Sequence, residues 1–163
     1  EVVRRAETVA AALDAAIETG ALTMEALFDR NYQAIAGSNP QQYTTRYVDV
    51  FDRILTPIID AALDFAPKVV FCAPVDVNGY LPTHNSKFAR RPGNDPVWNA
   101  ANCRNRRMFN DRVGLGAGRN EKPFLVQTYM RDMGGTFVPM VDVSAPITVK
   151  GRHWGGLRLA YSA

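Results

Sequence analysis

The 163-residue chain is long enough for one domain, or for one domain with a helical extension, and its 47% apolar content allows a full core. The net charge of +3 is mild, but Arg90, Arg91, Arg104, Arg106, Arg107, Arg112 and Arg119 concentrate it in one stretch. No helix-turn-helix, zinc-ligand or aromatic-platform signal accompanies that local patch, which leaves nucleic acid out of the expected partners.

Residues 1–19 carry Val2, Ala6, Val9, Leu13 and Ile17 at three- and four-residue spacing, the pattern of a helix with one apolar stripe, ended at Gly20. Thr23 is the expected N-cap of a second, short helix. Residues 29–40 read as a loop. A longer helix is expected over 41–65, with a stripe through Tyr47, Val50, Phe51, Ile54, Leu55, Ile58, Ile59 and Leu63, and with Pro57 kinking or breaking it. The helical region either packs on the back of a sheet or pairs with a second chain.

Residues 68–77 read as a strand buried on both faces, and Asn78-Gly79 as the centre of a hairpin turn leading to a return strand over 80–83. The long segment 84–121 follows, with a helical piece expected around Trp98–Phe109. A connection of that length is more often a binding loop than slack. Gly114-Leu-Gly-Ala-Gly118 lacks the preceding strand and the full glycine spacing of a nucleotide fingerprint. Three strands joined by tight turns, 124–130, 136–149 and 153–161, close the chain as a meander. In the last, Leu157, Leu159 and Tyr161 share one face and Arg158 lies on the other. Gly155-Gly156 reads as a place where a ligand or the crossover approaches the backbone, or as a bulge. The order defines an α+β fold: helices, then a five-stranded antiparallel sheet with a helical crossover after its second strand. The boundary is expected between a helical region, 1–66, and a sensor domain, 67–163.

Cys72 and Cys103 are too few and too far apart for a disulfide framework or a metal motif, and read as free thiols of a reducing compartment. No apolar run approaches the 18 or so residues of a membrane span, and no signal peptide is visible. The chain opens directly in a helix, as expected for a segment of a longer protein.

Four motifs occur in order: Asp76-Val-Asn-Gly-Tyr-Leu-Pro-Thr-His-Asn85, Asn105-Arg-Arg-Met-Phe-Asn-Asp111, Phe124-Leu-Val-Gln-Thr-Tyr-Met-Arg-Asp132, and Pro146 with Gly151-Arg-His-Trp-Gly-Gly-Leu-Arg-Leu-Ala-Tyr161. Together they resemble a PAS/Cache-like sensory domain of bacterial methyl-accepting chemotaxis proteins, over about residues 20 to 161. The resemblance implies ligand sensing without catalysis, the remainder of a chemotaxis receptor as partner, and a cytoplasmic location, with the periplasmic face of a membrane as the alternative; a homodimer is expected through the Ala-rich stripe of the N-terminal helices. It does not supply a ligand.

Tyr80, His84, Tyr129, Arg131 and Asp132 stand at the ends of expected central strands, where arginine and tyrosine would grip a small polar ligand such as an organic anion. The competing reading makes Arg131 and Asp132 a surface pair at a turn. Arg104, Arg107 and Asp111, at i, i+3 and i+7, share one face of the expected crossover helix. That face either points inward toward a ligand or forms a solvated stripe. His84 and His153 are the only histidines, and a haem or redox sensor would need one of them. The cofactor therefore remains unknown, with haem as one possibility, and a ligand-free dimerisation or interaction module is the remaining alternative.

Overall fold

The computed structural model describes all of residues 1–163. Helix α1 (Val2–Glu18) buries the expected stripe, with Ala16 taking the last place in it, and Gly20 ends it at a φ of +80°. Thr23 caps α2 (Met24–Leu27) by accepting from the Ala26 N–H at 3.1 Å. Strands β1 (Gln33–Ala34) and β2 (Tyr43–Thr44) form a short ribbon. The second long helix therefore starts later than its apolar spacing suggests. Residues 41–46 are committed to this ribbon and to a Tyr43 N–H bond to the Arg106 carbonyl, and α3 spans Val48–Ala61 with Pro57 inside it.

Strand β3 (Val69–Asp76) is followed by the Asn78-Gly79 turn, with Gly79 at a φ of +85°. The Asp76 carboxylate accepts from the N–H groups of Asn78 and Tyr80. Those bonds stand in for ladder bonds, and the return segment leaves the sheet. Strand β4 (Tyr80–Leu81) pairs instead with β5 (Arg107–Met108) in a separate ribbon. Between these two lie a 3₁₀ turn at Ser86–Phe88 and α4 (Pro96–Asn102). The helix expected to run to Phe109 ends at Asn102, and Arg106 takes a left-handed φ of 63°. Helix α5 (Arg112–Arg119) occupies the glycine-rich stretch.

The meander forms as expected: β6 (Leu125–Asp132), β7 (Phe137–Val149) and β8 (Arg152–Ser162). The main sheet is antiparallel in the order β3-β8-β7-β6. It has four strands rather than five, because β4 belongs to the ribbon. Helices α1 and α3 pack on one face, where Trp154, Tyr47, Phe51, Leu13 and Leu157 belong to one cluster of 23 buried residues. The stripe of α1 is thus spent on its own sheet. Helix α5 crosses the sheet where Gly118 and Gly156 admit it. A Cβ on Gly118 would sit 2.0 Å from the Asp76 carbonyl oxygen, and one on Gly156 2.3 Å from that of Ala117. No helix is long and apolar enough to cross a membrane.

Candidate functional site

The sheet face opposite Leu157 and Leu159 carries a half-open cavity of about 200 Å³, with the crossover as its other wall. Alternation along the strands decides what faces it. β3 contributes Phe71, β6 contributes Tyr129 and Arg131, and β8 contributes Arg158. The crossover contributes His84, Arg104, Arg107, Phe109 and Asp111.

Four arginines line one small space, and their means of support differ. Arg158 donates from Nε to Asp142 Oδ1 at 2.9 Å, and both side chains are almost wholly buried. Burial works against the Arg158 charge, and the Asp142 carboxylate more than offsets it, so the guanidinium ends above its ordinary value. Arg104 donates to the carbonyls of Ala100 (2.7 Å) and Asp132 (2.9 Å), which ties the crossover to the end of β6. Burial and the neighbouring Arg131 and Arg107 lower its pKa to about 9. Arg107 donates to the Ala100 carbonyl at 3.2 Å. Both stack over Phe109, at 5.2 and 4.7 Å.

Arg131 has no anionic partner. It is 4% exposed, and its guanidinium lies 4.7 Å from the Phe71 ring centre and 4.5 Å from that of Phe88. Its Nε and Nη2 are buried without a hydrogen bond. Burial lowers its pKa to about 10. A buried cation with idle donors is costly unless something else supplies an acceptor.

His84 sits between the same two rings, 5.2 Å from Phe71 and 5.1 Å from Phe88. Its Nδ1 accepts from the Asn85 N–H at 2.8 Å, which places the proton of the neutral ring on Nε2. Burial, then the charges of Arg131, Arg104, Arg158 and Arg107, hold it neutral far below the ordinary histidine range. The wall's two carboxylates are engaged by backbone. Asp111 caps α5 through the Gly114 N–H, and Asp132 accepts from Gly134 and Gly135. The site offers donors and positive charge over an aromatic floor, a setting for an anion.

Of the residues singled out in the sequence, His84, Arg104, Arg107, Asp111, Tyr129, Arg131 and Asp132 meet in this cavity. Tyr80 does not. It is fully buried, with its hydroxyl donating to the Tyr43 carbonyl and its ring against Tyr32. Arg131 and Asp132 are not a surface pair: Arg131 is buried, and Asp132, also in the lining, is exposed and bonded to the Gly134 and Gly135 N–H groups. Arg104, Arg107 and Asp111 converge without sharing a helix face. One follows α4, one lies in β5 and one caps α5. Arg158 and Phe71 were overlooked as site residues, although the alternation with Leu157 and Leu159 already placed Arg158 on this face.

The cavity is below the 300 Å³ or so at which sites for drug-sized ligands begin, so a haem does not fit it. The other histidine, His153, is bonded to the Gly118 carbonyl. No three His, Cys, Asp or Glu side chains are placed to hold a metal ion. Neither a scan against protein-family models nor a search of curated proteins finds a match to this sequence.

Proposed function

We propose that this chain is the ligand-sensing domain of a bacterial chemotaxis receptor of the PAS/Cache-like kind, and that its cavity takes a small organic anion. The observation that carries the reading is Arg131: a buried guanidinium in the cavity wall with Nε and Nη2 unpartnered. The sheet supplies Arg131 and Arg158, and the crossover supplies Arg104 and Arg107, so a bound anion bridges the two layers. Binding favours the arrangement in which they are close, by as much as the anion prefers that arrangement. Helix α1, on the opposite face of the same sheet, is the element through which the shift reaches the receptor. The domain acts by binding, without catalysis.

A homodimer and a cytoplasmic setting accompany this reading. Both cysteines are free and buried, which suits a reducing compartment. With the α1 stripe spent on its own sheet, the exposed apolar side chains left for a second copy include Phe124, Val126, Met130 and Phe137.

The test is a thermal-shift screen of the purified, ligand-free chain against small carboxylates. An anion at 100 times its Kd stabilises by about 2.7 kcal/mol, a rise of roughly 5–11 °C for a chain of this size. The rise should vanish in Arg131→Gln. A folded chain that responds to no anion refutes the proposal.

A further inference from the structure

We propose that the ligand is a short dicarboxylate, with one carboxylate held by each of two groups of donors in the cavity wall. This rests on the anion reading above and narrows it.

The donors without a carboxylate partner fall into two poles on different aromatic platforms. At the first, Arg131 and His84 are held by Phe71 and Phe88. Arg131 Nε and Nη2 form one edge of the guanidinium, the edge that takes a carboxylate with two parallel hydrogen bonds. His84 Nε2–H adds a third donor, because Nδ1 is already occupied by the Asn85 N–H. At the second pole, Arg104 and Arg107 stack on Phe109 and are anchored through the Ala100 carbonyl. Arg158 belongs to neither pole, since Asp142 already balances it.

Leu81, Phe71 and Phe109 supply apolar wall, which suits a methylene spacer. A monocarboxylate satisfies one pole and leaves the other as it was. Inorganic phosphate carries its charge on a single centre and also reaches one pole only. At about 200 Å³ the cavity suits a molecule well below nucleotide size.

Titration calorimetry on the full chain tests this with malonate, succinate and glutarate. Controls are the monocarboxylates of equal carbon number and inorganic phosphate. The best dicarboxylate should bind tighter than its monocarboxylate by a factor on the order of ten or more, the worth of one further set of charge-assisted contacts. Arg107→Gln should weaken the dicarboxylate far more than the monocarboxylate and so close the gap between them, whereas Arg131→Gln should weaken both. A monocarboxylate or phosphate binding as tightly as every dicarboxylate overturns the two-pole inference while the anion reading stands. Binding of none of them overturns both.

Discussion

Asp142→Asn isolates the one arginine of the cavity that has its own counterion. Asparagine keeps an oxygen that can accept from Arg158 Nε, so the change removes charge and little shape. The wild-type contact is 2.9 Å, and both partners are at most about 5% exposed. For charges about 4 Å apart in an effective dielectric of about 20, the attraction is roughly 4 kcal/mol. That agrees with the 3–5 kcal/mol or so lost when one partner of a buried pair is removed. Guanidinium unfolding should show this loss at unchanged m, and the Tm should fall by roughly 6–20 °C. The variant also frees Arg158 to face an anion in the cavity. A saturating dicarboxylate should therefore raise the Tm of Asp142→Asn by more than it raises the wild type's. A loss under about 1 kcal/mol, or equal ligand increments in both proteins, would refute this account of the pair.

His84 predicts a pH effect. Its folded pKa lies well below the ordinary 6.5, so its contribution is present above about pH 6.5 and is lost as pH falls toward the folded value. Each pH unit in that window removes up to about 1.4 kcal/mol, and His84→Gln should flatten that part of the stability curve when the two are compared by chemical unfolding. Gly118→Ala should destabilise by about 1–3 kcal/mol or more, because its Cβ meets the Asp76 backbone at 2.0 Å. Gly116→Ala, which meets only the movable end of Gln127, should be neutral or stabilising by up to about 1 kcal/mol in the same unfolding assay. Asp52→Ala removes two of the three bonds that hold Arg106, those of 2.9 and 2.7 Å to the carboxylate, and leaves the one to the Pro82 carbonyl. It should loosen the crossover, costing roughly 1–3 kcal/mol and weakening anion binding in calorimetry.

The meander was legible because its strands are extended runs rich in apolar, aromatic and β-branched residues and its turns are glycine-marked; Gly134, Gly135 and Gly151 all have positive φ. The grouping of Arg104, Arg107 and Asp111 was reached through a helix that does not extend that far. Helical periodicity gives no sign of the left-handed Arg106, which turns the chain so that Arg107 joins a strand. The departure of β4 from the sheet depends on what the Asp76 carboxylate bonds to, which spacing cannot show. Arg158 was placed on the correct face, but its importance comes from Asp142, sixteen residues away and buried beside it. Tyr80 stands at a strand end, the placement of a ligand contact, yet it packs with Tyr32 and the Tyr43 carbonyl in the core on the other side from Arg131.

The most direct measurement follows the side-chain Nε–H of Arg131 by ¹⁵N NMR during a succinate titration, with the signal assigned by its loss in Arg131→Lys. The account predicts a saturable shift of this signal, with Arg104 and Arg107 moving in step and Arg30, on the far side near Trp154, unmoved. Saturable binding that leaves the Arg131 signal in place, or no change in any arginine signal, would contradict it.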